Sequence, residues 1–335
     1  MYLLVSLLLC MLIFSALSFN TKSSLGRDAN YFPSFNILQH SYALEDEKEE
    51  NEENEEKTKG DSIMKIAAAG DWDCNGEAKD TVKNIVNQDP DIVLALGDLS
   101  YNGKAKCWLE LIEPIADITS IVIGNHEVDS KKTTKDYMEF FGLDEQYYSF
   151  NYKNVHFLAL STETKYDDDS DQYEFAVRDL EKYSKEPFID WIIVFYHKFA
   201  YTSANGLPPE DDFAEVYHPL FDKYKVDLAL QGHLHAYERT YPITFNDDDE
   251  DEPIVQNDNP NFYDNPKGTI FLTVGTGGAH DMVLSSLEDF TAEGRDGDFG
   301  ILDITLENDR KTLTGKFIEN GKKEKVLDEF TIVKN

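Results

Sequence analysis

Asp91-Ile92-Val93-Leu94-Ala95-Leu96-Gly97-Asp98-Leu99-Ser100-Tyr101 is an apolar run of strand length that ends in polar residues. An unbroken run of this kind reads as a parallel strand buried on both faces, because a half-exposed strand would alternate. In open α/β sheets the chemistry sits just past the carboxyl ends of the strands, where Asp98 and Tyr101 fall. Two other runs end the same way. Residues 63–69 lead into Gly70-Asp71-Trp72-Asp73, and residues 118–123 lead into Gly124-Asn125-His126-Glu127. Asp71 and Asp98 are 27 residues apart, as are Asp98 and Asn125. A strand–helix–strand unit takes roughly 30 residues, so three consecutive parallel strands are expected to bring Asp71, Asp98 and Asn125 to one sheet edge.

The pattern continues downstream. Residues 191–196 form a buried strand ending at His197, and residues 226–231 form another ending at Gly232-His233-Leu234-His235. Apolar spacing predicts helices over 77–88, around 108–115, and over 134–141, 173–183 and 213–224. Residues 147–160 read as a hairpin, 269–274 as a strand, and 300–306, 312–318 and 326–333 as an antiparallel meander. The stretch 246–265, rich in Asp, Asn and Pro, is expected to be a long mobile excursion. The acidic clusters 167–169 and 247–251 read as solvated loops rather than calcium sites.

Composition limits the partners. The formal net charge of −34 over 335 residues is the wrong sign for binding duplex nucleic acid. An anionic substrate would also be repelled unless a metal cluster focused it. Residues 2–19 are apolar and uncharged, and Ala16-Leu17-Ser18 has the small-x-small pattern of a cleavage site. This segment reads as an export signal or an uncleaved N-terminal membrane anchor, which makes the protein secreted or extracytoplasmic. Residues 45–57 are acidic and of low complexity, so the expected organisation is a leader over 1–18, a disordered tether over 19–60 and a single folded domain over 61–335. With Cys10 in the leader, Cys74 and Cys107 remain. Each follows a functional strand end on an adjacent loop, so a disulfide is expected between them.

The five strand ends deliver Asp71, Asp98, Tyr101, Asn125, His197, His233 and His235. Carboxylate, phenol, amide and imidazole together suit borderline first-row metals better than calcium. A closed structural zinc site would want four ligands, often thiolates, and this set is too rich in oxygen. Asp98, on the middle strand, can bridge two ions about 3.5–4 Å apart.

In order and spacing, Gly70-Asp71, Gly97-Asp98-x-x-Tyr101, Gly124-Asn125-His126-Glu127, Val194-x-x-His197 and Gly232-His233-x-His235 resemble the five motifs of the purple acid phosphatases, which belong to the calcineurin-like metallophosphoesterases. The extension Ala236-Tyr237-Glu238-Arg239-Thr240 resembles the plant and fungal members. The resemblance implies an α/β fold, a four-layer α/β/β/α sandwich. It implies Fe(III) on Asp71, Tyr101 and His235, and Zn, Fe(II) or Mn on Asn125, His197 and His233, with Asp98 bridging. The implied activity is exported acid-phosphatase hydrolysis of small phosphomonoesters by a metal-bound hydroxide, with His126 as the acid or transition-state donor. A phosphodiesterase or nucleotidase of the same superfamily is the alternative, and a non-catalytic binding protein would not need so complete a ligand set. Two departures stand out. Asp73 occupies a position where many relatives carry a histidine ligand, and a loop role is expected for it. After His197 the family's further substrate-binding histidines are missing, leaving Lys198, Tyr201 or Asn205 as substitutes and His280 as a candidate to line the cleft. His40, His156 and His218 are expected to be structural.

Overall fold

The structure, a computed structural model, describes residues 63–101, 103–204, 211–280, 282–284, 286–307, 309–321 and 323–335. The leader, the tether, His40 and Asn205 lie outside the described residues. Among the described residues no helix is long and apolar enough to cross a membrane.

The first half of the domain runs β1 (Met64–Ala69), α1 (Gly76–Gln88), β2 (Ile92–Ala95), α2 (Ala105–Leu111), a 3-10 turn (Glu113–Ile118), β3 (Thr119–Ile121), α3 (Asn125–Val128) and α4 (Lys131–Phe141). It continues with the hairpin β4 (Tyr148–Tyr152) and β5 (Val155–Ala159), then α5 (Asp171–Tyr183), β6 (Trp191–Phe195), α6 (Asp211–Tyr224) and β7 (Leu228–Gln231). The remainder is all strand: β8 (Tyr237–Thr240), β9 (Ile243–Thr244), β10 (Ile254–Val255), β11 (Phe262–Asp264), β12 (Ile270–Val274), β13 (Thr291–Arg295), β14 (Gly300–Leu306), β15 (Thr312–Glu319) and β16 (Val326–Val333). Local chemistry sets the helix ends. The Asn75 side chain accepts from Ala78 N at the start of α1, Ser170 does the same for Tyr173 at α5, and Gly142 at φ 67° closes α4.

Two seven-stranded sheets result, in the orders β11-β16-β15-β14-β1-β2-β3 and β13-β8-β12-β7-β6-β5-β4. The expected parallel triplet β1, β2, β3 is present, and β5, β6, β7 and β12 are parallel in the other sheet. Alternate residues of each strand face opposite layers. Ile66 and Ala68 of β1 join Leu94, Phe157, Phe195, Leu230 and Phe317 in the core between the sheets. Ala67 and Ala69 face outward under Val82 and Ile85 of α1, Trp108 of α2 and Tyr137 of α4. Leu158, Val194 and Ala229 of the second sheet pack under Leu180 of α5 and Tyr217 of α6. Apolar side chains on both faces explain the unbroken runs, and helices outside each sheet complete the four layers.

Five strands, β8, β9, β10, β11 and β13, were not expected from the sequence. β8 was expected only as an extension of the last motif, because Tyr-Glu-Arg-Thr lacks apolar alternation. Its charges are buried by partners: Glu238 accepts from Ser203 N at 2.7 Å and Thr291 Oγ1 at 3.0 Å. Arg239 clasps Asp328 of β16 through Nε at 2.7 Å and one terminal nitrogen at 2.9 Å, linking the two sheets. β13 pairs with β8 at the edge of the second sheet. The stretch 246–265, expected to be a long mobile excursion, contains two short strands. β10 pairs with β9, and β11 extends the first sheet beside β16, where buried Tyr263 accepts from Arg239 at 2.8 Å.

Candidate metal centre

All five strand ends converge. Asp71, Asp98 and His233 adopt left-handed backbone with φ of 58°, 48° and 68°. Asp, Asn and His tolerate this region better than other non-glycine residues, and such strain gathers at functional sites. The turns also need bare glycines. A Cβ on Gly124 would lie 2.3 Å from Asp98 Oδ1, and one on Gly97 would lie 2.6 Å from His197 Nδ1.

Asp71, Tyr101 and His235 form one group. The Tyr101 hydroxyl donates to Asp71 Oδ1 at 3.1 Å and lies 2.8 Å from His235 Nε2, itself 3.4 Å from the same carboxylate oxygen. His235 Nδ1 donates to the His280 carbonyl, which turns Nε2 and its lone pair inward. One phenolic proton therefore faces two acceptors. Asp98, Asn125, His197 and His233 form the second group. His197 Nδ1 donates to Leu96 O at 2.8 Å, so its Nε2 faces Asn125 Oδ1 at 3.1 Å and Asp98 Oδ1 at 3.3 Å. Ligand atoms of Asp98, His197 and His233 all lie within 4.8 Å of one another. Acceptors converging on acceptors is an arrangement that cations resolve, and in both groups the donor set fits a metal ion.

In the bare chain a proton on His197 supplies that positive charge instead. Burial opposes ionisation of Asp98, but His197 and His126 outweigh it and hold the carboxyl well below the usual range. Burial opposes the His197 cation too, and the adjacent Asp98 carboxylate raises it to about 10. Burial and the His197 charge push His233 down to about 4. Burial, Asp71 and Asp98 push the Tyr101 phenol far above its ordinary value. A nearby cation reverses that last direction, because it favours the phenolate.

His126 stands at the mouth with its side chain 38% exposed. Its backbone N donates to Asp98 Oδ1 at 2.9 Å, its Nε2 lies 3.9 Å from Asp98 Oδ2, and its ring lies 4.3 Å from that of Tyr101. Asp73 shapes its own turn by accepting from Cys74 N at 2.7 Å. The expected disulfide Cys74–Cys107 is present and ties the loop after Asp71 to α2, just beyond Tyr101. His156 and His218 are buried and structural, bonded to Asp179 and Tyr201. Glu127, part of the Gly124-Asn125-His126-Glu127 motif, has no role that the sequence alone assigns. It is buried, and it accepts from Leu99 N at 2.9 Å, Ser100 N at 3.4 Å and Gly124 N at 2.9 Å, stitching two of the loops together.

Residues 64–237 match the family model for calcineurin-like phosphoesterases, a span that contains every strand end just described. The chain belongs to this family. Within the family it is similar to purple acid phosphatases. It is 30% identical over 271 residues to purple acid phosphatase 18 of Arabidopsis thaliana, covering 74% of this chain and 58% of that protein. It is also 30% identical over 275 residues to probable inactive purple acid phosphatase 24 of the same plant, covering 73% of this chain and 43% of that one. A solved purple acid phosphatase from yellow lupin (Lupinus luteus) seeds superposes with a TM-score of 0.71 at 25% identity, over 83% of this chain and 55% of its own. The chain thus spans about half the length of the curated relatives it matches.

Proposed function

We propose that this chain is a two-metal acid phosphatase acting on small phosphomonoesters. Asp71, Tyr101 and His235 would hold Fe(III), whose charge a phenolate and carboxylates stabilise. Asn125, His197 and His233 would hold Zn, Fe(II) or Mn, with Asp98 shared. When bound, the pair of cations supplies Lewis-acid polarisation of the phosphoryl group and an activated water. The chain's own residues do the rest. Carbonyls of Leu96 and His280 fix the imidazoles of His197 and His235, so no reorganisation is needed during reaction. His126, exposed at the mouth, donates a proton or hydrogen bond to the departing alkoxide oxygen. The disulfide and the apolar 2–19 segment favour an oxidising, extracytoplasmic setting.

The observation that carries this reading is the convergence of Asp98, His197 and His233 ligand atoms within 4.8 Å beside the Asp71–Tyr101–His235 group. The test compares metal-loaded wild type with Asp98→Ala on 4-nitrophenyl phosphate and its bis-ester. Wild type should hold two metals and prefer the monoester, while Asp98→Ala should lose both metals and turnover together. Preference for the diester would favour a phosphodiesterase. Two metals retained by Asp98→Ala, or a dimetal wild type inert on both esters, would overturn the reading.

A further inference from the structure

Two members of the Asp71, Tyr101 and His235 group lean on a sixth strand end, one that supplies no ligand of its own. β12 runs parallel to β7, so the loop after β12 emerges beside His233 and His235. That loop lies along the Asp71 turn. Gly277 N donates to Gly70 O at 2.8 Å, and Ala279 N donates to Asp71 O at 2.8 Å. A Cβ on Gly278 would lie 2.2 Å from Trp72 O, so loop and turn are in direct contact. The loop then reaches His235. The His280 carbonyl accepts from His235 Nδ1, and Met282 N donates to His235 O at 3.0 Å. His280, a candidate to line the cleft, thus acts through its backbone, and its side chain is exposed.

Asn75 holds this loop in place. Its Nδ2 donates to Gly278 O at 2.6 Å. The Gly278 carbonyl and the Ala279 N–H belong to one planar peptide unit, which is therefore pinned by Asn75 at one end and by Asp71 O at the other. The next carbonyl along is the one that fixes His235. The other end of the Asn75 amide is also used: Oδ1 accepts from Ala78 N at 3.0 Å and caps α1. Nδ2 has a weaker contact with Asp73 Oδ2 at 3.3 Å. Thr81 Oγ1 donates to Gly277 O at 2.8 Å, one peptide earlier, so it does not replace the bond to Gly278. Cys74, the preceding residue, is tied to α2 by the disulfide, which gives Asn75 a fixed base.

We propose that Asn75 is a positioning residue for the first metal ion: by pinning the Gly278–Ala279 peptide it holds the His280 carbonyl that aims His235 Nε2 at that ion. The inference rests on the two-metal reading above. Partners that fix the orientation of a metal-binding imidazole are worth about 10- to 100-fold in metal affinity. Helix capping and loop anchoring sit at opposite ends of one amide, so substitution can separate them. Asn, Asp and Ser cap helices about equally well. Asn75→Asp and Asn75→Ser keep an acceptor for Ala78 N, and neither brings an N–H to Gly278 O. Asp adds a negative charge, which by itself favours a cation, and Ser adds none, so a loss common to both variants does not come from charge.

The experiment uses the full chain. It measures iron and zinc retained against a chelator, the visible band of the bound iron, amide hydrogen exchange in the bare chain, and the urea midpoint. Both variants should keep the wild-type midpoint and lose protection at the Ala279 and Met282 amides. Both should bind iron about 10- to 100-fold more weakly, with a weaker visible band, while zinc is retained as in wild type. Wild-type iron retention in both variants would overturn the proposal, whatever the two amides do. Equal loss of iron and zinc with a lowered midpoint would also overturn it, by making Asn75 a support of the whole fold. A wild type that binds neither iron nor zinc would overturn the two-metal reading and the proposal with it, whereas a two-metal wild type matched by both variants would overturn the proposal alone.

Discussion

Replacing Glu127 by Ala tests whether the site is held in shape by its buried carboxylate. Glu127 accepts from the backbone of Leu99, Ser100 and Gly124, with two of the bonds at 2.9 Å and the third at 3.4 Å. Truncation leaves two well-bonded N–H donors and one weakly bonded donor without a partner in a buried place. Each full bond lost this way costs about 1–3 kcal/mol, so the gross loss is about 3–5 kcal/mol. The carboxyl itself is uncomfortable where it sits: burial, then Asp98, push it up to about 8. Removing that strained group returns part of the cost, leaving a net destabilisation of about 2–4 kcal/mol. Stability of a folded domain totals roughly 5–15 kcal/mol, so the change is large enough for the urea midpoint to register clearly. Leu99 and Ser100 belong to the loop of Asp98 and Tyr101, and Gly124 precedes Asn125 and His126. The same variant should therefore hold the metal near Asn125 more weakly than wild type. A midpoint shift worth less than about 1 kcal/mol, together with full metal content, would refute the role given to Glu127.

Asp328→Ala should destabilise by about 3–5 kcal/mol, because it strands the buried Arg239 guanidinium that links the sheets. A shift under about 1 kcal/mol in chemical denaturation would contradict this. Replacing Cys74 and Cys107 together by Ser should cost about 3–4 kcal/mol, given their separation of 33 residues, and non-reduced mass spectrometry of wild type should find no free thiol at either position. Gly124→Ala tests steric fit rather than backbone strain, since Gly124 has φ of −101° and its new methyl would meet Asp98 Oδ1 at 2.3 Å. It should keep its far-ultraviolet circular dichroism and lose metal, and full metal content would show that the Asp98 loop yields freely.

Most of the site was legible because strands buried on both faces leave unbroken apolar runs. The residue after each run then marks the sheet edge, which is how Asp71, Asp98, His197 and His233 could be placed together. What was hidden depends on partners distant in sequence. β8 reads as a charged loop until Asp328 is seen against Arg239 and Ser203 against Glu238. β11 is visible only as an addition to β16, from the far end of the chain. Glu127 looks like a solvated acid beside a histidine, because its three donors are backbone N–H groups that no pattern of side chains records. Glu163 meets Lys198 only because β5 lies beside β6.

The central claim is that these strand ends build a two-metal centre with Tyr101 on the ferric ion. The visible spectrum of iron-loaded protein, taken beside Tyr101→Phe, tests it most directly. Burial, Asp71 and Asp98 keep the phenol protonated in the bare protein, so a phenolate requires the cation. Wild type should show a broad visible phenolate-to-iron band, and Tyr101→Phe should lose it with its fold intact and iron still bound. A colourless iron-loaded wild type, or a band that survives in Tyr101→Phe, would contradict the account.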